Sequence, residues 1–301
     1  MGCSNERTIE KPEEKNKGFP VCRYTHSLTG EICSMVALNS KLLVLGGNNE
    51  LLLFDLNSKE IIVISKENNA KKNRVNHLIK IPDGKVISGH QNGAIKVWDI
   101  ENKKVLYTLE GHASMIWDLC YIGEDKLISG SDDNICKIWN LKNKTNEVLY
   151  KSKKQISSII FMGNKKVLLA SGKNVFLFDI EKKDQECVLD VSAWSLTKLK
   201  NGDVAAGLGN GLLYILQVTD EILKKSEFPR GHNKVINSII ELENNKIITR
   251  SDENDLILWD INDTESIYMI KGHNARISCL CLIEGNKFAS ISIDNTLKIW
   301  E

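Results

Sequence analysis

His112, Ser129 and Asp133 place an imidazole, a hydroxyl and a carboxylate within one short stretch, the parts of a site in which a base activates a nucleophile. His232, Thr249 and Glu253 repeat the set with a longer acid, and His273, Ser290 and Asp294 repeat it once more. A glycine precedes each of these histidines, and a tryptophan, Trp139, Trp259 or Trp300, follows it by 27 positions. A nucleophile needs one site that a substrate reaches. A set that recurs and ends on an indole reads instead as polar groups that satisfy one another in a buried place. No other catalytic constellation, Gly-rich phosphate loop or metal-ligand spacing stands out, so the sequence predicts no catalytic residue, no cofactor and no metal.

The elements that carry these residues repeat with the same period. An aromatic residue followed by an acid or amide closes a short apolar alternation at Phe54-Asp55, Trp98-Asp99, Trp139-Asn140, Phe178-Asp179, Trp259-Asp260 and Trp300-Glu301. The steps are 44, 41 and 39 positions, then 81, then 41. The long step holds two periods, its hidden copy being Asn210 to Leu216, with Ile215 where the tryptophan would stand. Each unit parses into runs of β-branched and apolar residues separated by Gly, Asn, Asp and Lys turns, which predicts strands. A period in this range fixes a repeat architecture.

Gly-His, a strand, a turn, a strand reading Ser-Gly-Ser, a turn with Asp or Asn, and Trp-Asp together resemble the WD-repeat β-propeller family, the repeats of G-protein β subunits. The resemblance covers the chain from residue 18 to 301 and implies an all-β fold. Its form would be a single seven-bladed β-propeller of four-stranded antiparallel blades. It also implies that His112, Asp133, Ser129 and Trp139 form one hydrogen-bonded chain, as do His232, Glu253, Thr249 and Trp259, and His273, Asp294, Ser290 and Trp300. The last unit supplies only three runs, Ile277–Leu282, Lys287–Ile291 and Thr296–Trp300, and its open edge needs a cover. By the same resemblance an N-terminal strand completes the last blade, and Phe19–Thr25 is the expected segment. Blades two, four and five lack Gly-His, and blade five also lacks Trp-Asp, which makes it the unit expected to fray.

Composition narrows the partners. Lys and Arg number 40 against 39 Asp and Glu, so the positive excess that drives phosphate-backbone binding is missing and nucleic acid is not expected. The eight cysteines form no C-x-x-C pair, and no apolar run approaches the length of a membrane helix. A reducing, cytoplasmic setting is expected. Residues 1–17 have no period and few apolar groups and are predicted disordered. Their start, Met1-Gly2-Cys3, resembles a dual-acylation signal, with Gly2 as myristoyl and Cys3 as palmitoyl acceptor, although Glu6 stands where that pattern prefers Ser or Thr. Acylation there would place the protein on the cytoplasmic side of a membrane, the alternative localisation.

Function must be sought in residues that the scaffold does not need. One position past the first apolar residue of each inner strand, the units carry small or polar residues, Cys33, Asn76, Ser157, Ser195, Asn237 and Ser278, except blade three, which has Trp117. That indole is either an interface anchor or packing between blades. Arg250 replaces the glycine seen at Gly89 and Gly130 and is expected to pair with Asp252 or Asp255. With Arg74, Met115, Lys234 and Arg276 at the starts of inner strands, it would make one channel opening partly basic, suited to an acidic or phosphorylated peptide. The expected function is a non-catalytic intracellular scaffold or adaptor, monomeric within a complex, that binds peptides or partner domains on its loop surfaces. The alternative is a membrane-tethered signalling protein similar to a G-protein β subunit, although the tail lacks a long heptad helix. An enzyme with a cryptic site is a remote third reading.

Overall fold

Second strands such as Leu42–Gly47 and Val204–Leu208 are apolar or small along their whole length, and nearly every residue is buried. Burial on both faces means that each sheet is sandwiched between two neighbours. Outer strands such as Thr145–Lys151 are mostly exposed and correspondingly polar. The computed structural model, which describes residues 20–66, 73–219 and 221–301, arranges the strands into seven four-stranded antiparallel sheets. Apart from the last, each sheet takes its strands in chain order, so one blade follows another around a central channel. The apolar clusters lie between adjacent blades. Ile116 of blade three packs with Ile87 and Ile95 of blade two, and Ile236 of blade six with Leu213 and Ile215 of blade five.

The last blade has the strand order predicted for ring closure. Cys22–Ser27 pairs antiparallel with Thr296–Trp300, with Thr25 opposite Lys298 and His26 opposite Leu297. Backbone bonds between Val21 and Glu301, 2.9 and 3.1 Å long in the two directions, extend the pairing. The strand runs further than expected, because His26 is part of it: its ring lies 5.0 Å from Phe54 of blade one. Phe19, the expected disordered tail, Gly2 and Cys3 lie outside the described residues. Blade five is a full four-stranded sheet despite its missing markers, with Ile215 buried where the other units have an aromatic residue.

Close approach between blades explains the small residues of the second strands. A Cβ on Gly89 would stand 2.5 Å from Cγ2 of Ile116 in the next blade, and one on Gly130 would stand 2.6 Å from Cγ2 of Ile156. Glycine at this column lets the inner strands converge on the channel.

Candidate functional site

The channel mouth is built by a repeated irregularity of the backbone. In every blade the innermost strand slips register by one residue against the second: Ile116 faces Ser131 and Asp118 faces Gly130, so Trp117 is extra. A β-bulge of this kind re-aims the extra side chain, and here each one lines the mouth. Cys33, Asn76, Ser157, Asn237 and Ser278 occupy the place expected for them, together with Trp117. Blade five corrects the sequence reading. Ala193 faces Leu208 and Ser195 faces Gly207, so the bulged residue is Trp194, not Ser195. Ser195 is buried and donates to the carbonyl of Ile236 at 2.8 Å. The mouth therefore holds two tryptophans, which meet edge to face at 6.0 Å between ring centroids. The indole of Trp117 also donates to Asp132 at 3.4 Å.

Around the ring the chemistry divides into two arcs. Blades three to five contribute Met115, Trp117, Ser157 and Trp194, and blades six, seven and two contribute Arg250, Arg276 and Arg74, all lining one cavity of about 390 Å³. Five of the six residues singled out from the sequence thus come together. Lys234 is not part of that lining, and its Nζ donates to the carbonyl of Asp252 at 3.1 Å. Arg74 donates from Nε to Cys33 Sγ at 3.3 Å and pairs with Glu31 at 3.6 Å. Arg276 pairs with Asp252 at 3.2 Å, and Asn237 donates to the same carboxylate oxygen at 2.9 Å.

Arg250 departs from expectation. Among the described residues it forms no ion pair with Asp252 or Asp255. Standing at the glycine column opposite Ser238, its side chain follows the seam toward blade seven, and Nη1 donates to the carbonyl of Ile277 at 3.4 Å. Burial pulls its pKa below the ordinary guanidinium value, and nearby Arg276 adds to that, against the opposing pull of Cys279 and Asp252.

A network that sequence reasoning missed lies at and just below the mouth. Asp118 meets His77 Nε2 at 3.3 Å on one oxygen, and its other oxygen accepts from Ser158 Oγ at 3.0 Å and the Ile159 amide at 2.7 Å. It staples blades two, three and four, and burial pushes its pKa up from the ordinary carboxylate value, against the pull of His77. The Ser158 hydroxyl donates to the carboxylate and accepts from the Leu196 amide at 3.2 Å, so it is held on both sides by the scaffold. Its visible signal is columnar, since His77, Asp118 and Ser158 each follow the bulged residue of their own repeat.

The three histidine sets form the chains that the resemblance implies. In blade three, His112 Nδ1 lies 2.8 Å from Asp133, Nε2 lies 2.7 Å from Ser129 Oγ, and Trp139 Nε1 donates to that Oγ at 2.7 Å. The corresponding distances are 2.8, 2.8 and 2.7 Å in blade six and 3.1, 2.7 and 2.8 Å in blade seven. The acids also accept backbone amides of the loop that follows each histidine, at 2.9 Å from Ala113 and Asn274. The turn carrying Asp133 continues through Asn134 at φ 66°, a left-handed conformation that asparagine tolerates. Ser129, Thr249 and Ser290 are 0% exposed, beyond the reach of a substrate. Blade two holds a partial version that the sequence reading missed: Ser88 Oγ lies 2.8 Å from His90 Nε2 and accepts from Trp98 Nε1 at 2.7 Å. Its signal is the ten-residue step from hydroxyl to tryptophan, shared with the other three.

Burial lowers the pKa of His112, His232 and His273 below 6.5, outweighing the carboxylates beside them. Against the same effect of burial, hydrogen bonds from loop amides and imidazoles hold Asp133 below 3.8 and Glu253 below 4.5, and with help from Thr296 they hold Asp294 at about 2. A folded imidazole in this state binds fewer protons than an unfolded one, and so does each folded acid. Stability is therefore expected to fall as pH drops below 6.5, first through the histidines, and to fall faster once the pH passes below 4.5 and the acids begin to protonate. Urea midpoints measured across that range check this, and a midpoint that stays flat from pH 7 to 5 contradicts the histidine part.

Residues 103–140 and 264–301 match the family model described as WD domain, G-beta repeat. Each match joins the outer strand of one blade to three strands of the next. Over these two stretches the chain resembles WD repeats. No curated protein matches its sequence. A chain in a solved structure described as "Crystal Structure of Mitotic Checkpoint Complex" shares the fold, with a TM-score of 0.83 over 100% of this chain and 98% of that one, at 14% identity. The WD-repeat reading accounts for the repeated His, Ser or Thr, acid and Trp as blade architecture. Among the described residues, no three His, Cys, Asp or Glu side chains gather as metal ligands.

Proposed function

We propose that this WD-repeat propeller is a non-catalytic scaffold that docks segments of partner proteins at the channel mouth. The observation that carries the reading is the set of bulged positions, where the fold sets no side-chain type and two of seven are tryptophan, facing an arc of three arginines. Tryptophan and arginine are the residue types most enriched among interface hot spots. The basic arc favours acidic or phosphorylated segments, since guanidinium pairs with carboxylate and phosphate. A propeller of this shape sits in a mitotic checkpoint complex, which supports protein partners in general.

The setting proposed is cytoplasmic, with the propeller monomeric inside a larger complex. Tethering through Gly2 and Cys3 is the second reading, favoured by the Met1-Gly2-Cys3 start alone. A single myristoyl chain holds a membrane only marginally, so palmitate on Cys3 would be required as well.

Affinity purification from the native cell tests both readings. A reproducible set of proteins should co-purify, and its recovery should fall by about tenfold or more in a Trp117→Ala, Arg276→Glu double variant, the loss of one hot spot. Partners recovered equally by this variant would move docking away from the mouth. An unmodified N-terminal peptide in the same preparation would remove the tether.

A further inference from the structure

The mouth is rich in donors and short of acceptors. Arg276 lies close enough to disfavour the charge of Arg250, and Asp252 is the carboxylate beside them. Arg250 Nε is buried with no hydrogen-bond partner among the described residues, and so is Asn76 Nδ2 on the far side of the same arc. One carboxylate, Asp252, serves two guanidiniums here, and leaving the buried Arg250 Nε donor unmet is costly to the fold. The fold does not need this arginine, because blades two and three close the same seam with glycine. What these groups lack is a ligand with several acceptor oxygens and more than one negative charge.

The aromatic arc opens outward. In blade three, residues 110–115, with Gly111-His112, lead into the inner strand, whereas in blade five Val191 and Ser192 alone join the strand ending at Asp190 to the one starting at Ala193. The shortened loop leaves a groove of about 510 Å³ over blade five, lined by Trp194, Tyr214, Leu208 and Gly209 among others. Trp194 lines both this groove and the mouth. A Cβ on Gly209 would stand 3.1 Å from the indole Nε1, so glycine lets the ring lie down on the backbone.

We propose that mouth and groove form one two-part site for a linear phosphopeptide, its phosphate seated against Arg250 and Arg276 and a large apolar or aromatic side chain laid on Trp194 in the groove. This deepens the docking reading and rests on it. A phosphate brings three acceptor oxygens and close to two charges, enough to serve both guanidiniums, where a carboxylate brings one charge. Asn76 then has a peptide carbonyl within the same arc to donate to.

The probe is an array of nine-residue peptides with phosphoserine, serine or aspartate at the centre and randomised flanks, read with the purified full-length chain. Phosphoserine peptides are expected to bind about tenfold or more tighter than either counterpart, a margin of one well-made charged contact. Among them a large apolar or aromatic residue should be selected at one fixed offset. Arg250→Met should bring the three centres within about twofold of one another while the flank preference remains. Trp194→Ala, or Ser192→Arg in the loop beside the groove should the first variant misfold, should erase the flank preference and keep phosphoserine ahead. Equal binding of phosphoserine and aspartate overturns the anion half, and phosphoserine binding with no flank preference overturns the groove half. If no peptide binds while partner proteins are still lost from the Trp117→Ala, Arg276→Glu variant, this proposal fails and the scaffold reading survives. If neither peptides nor partners respond, both fail.

Discussion

A chain that lacks residues 20–27 should unfold about 10 °C or more below the full chain, the shift that a loss of about 5 kcal/mol gives in a domain of this size. The segment is the outer strand of the last blade, with Cys22 opposite Trp300, Tyr24 opposite Ile299 and Ser27 opposite Thr296. Its deletion removes a whole ladder of backbone bonds, each worth about 0.5–1.5 kcal/mol net. Cys22 is also withdrawn from the core between blades six and seven, and Tyr24 from the core between seven and one. The strand ties the N-terminal segment to the last strand of a closed ring, so its loss should also loosen the core that blades seven and one share. Thermal melts by circular dichroism measure the effect. A synthetic peptide covering residues 18–29 should raise the melting temperature of the shortened chain in a concentration-dependent way, as a ligand of the native state does. An unchanged melt of the shortened chain would show that ring closure contributes little.

The strand was legible because the last repeat shows three runs, an exposed sheet edge asks for a cover, and the family resemblance implied that an N-terminal strand supplies it. The histidine sets were legible for a similar reason, since three copies at one spacing mark the histidines and tryptophans and the resemblance implied which hydroxyls and acids join them. The ring at the mouth was only partly so. A β-bulge adds a residue without leaving a mark in composition, and six of its seven positions were found because an isoleucine or valine stands before each of them. In blade five that residue is Ala193, less conspicuous as the start of a strand, and Trp194 was passed over for Ser195. Arg250 was rightly singled out as foreign to its column, but its partner was misjudged. Neighbours in sequence suggested Asp252 or Asp255, while the seam between blades carries the side chain to Ile277, a contact that depends on packing between repeats. Asp118 shows the same limit, because its partners His77 and Ser158 lie a full repeat away on either side. What a repeat does within itself is written in its spacing. What it does to its neighbours becomes readable once the repeats are set column against column.

Trp139→Ala is expected to destabilise the fold by about 3–5 kcal/mol, the usual cost of removing a fully buried tryptophan. The indole is 1% exposed, packs in the core between blades two and three, and donates to Ser129. Ser129→Ala, which leaves the indole N–H and the imidazole of His112 short of a partner, should cost about 1–3 kcal/mol. The more telling measurement is the double-mutant cycle of Ser129→Ala with Trp139→Phe, a change that removes the indole donor while keeping an aromatic ring. If hydroxyl and indole act as one chain, the two losses should fall short of additive by about 0.5–3 kcal/mol, the range for groups sharing a network. The cycle also decides how the trio of hydroxyl, imidazole and carboxylate is to be understood. His112 donates from Nδ1 to Asp133, which leaves its neutral Nε2 to accept from Ser129, and among the described residues the one bond to the serine oxygen from outside the trio comes from tryptophan. A nucleophile would need that oxygen free to attack. Additive losses would mean that the indole bond contributes nothing to the serine, and the structural account of the repeated motif would fail with it.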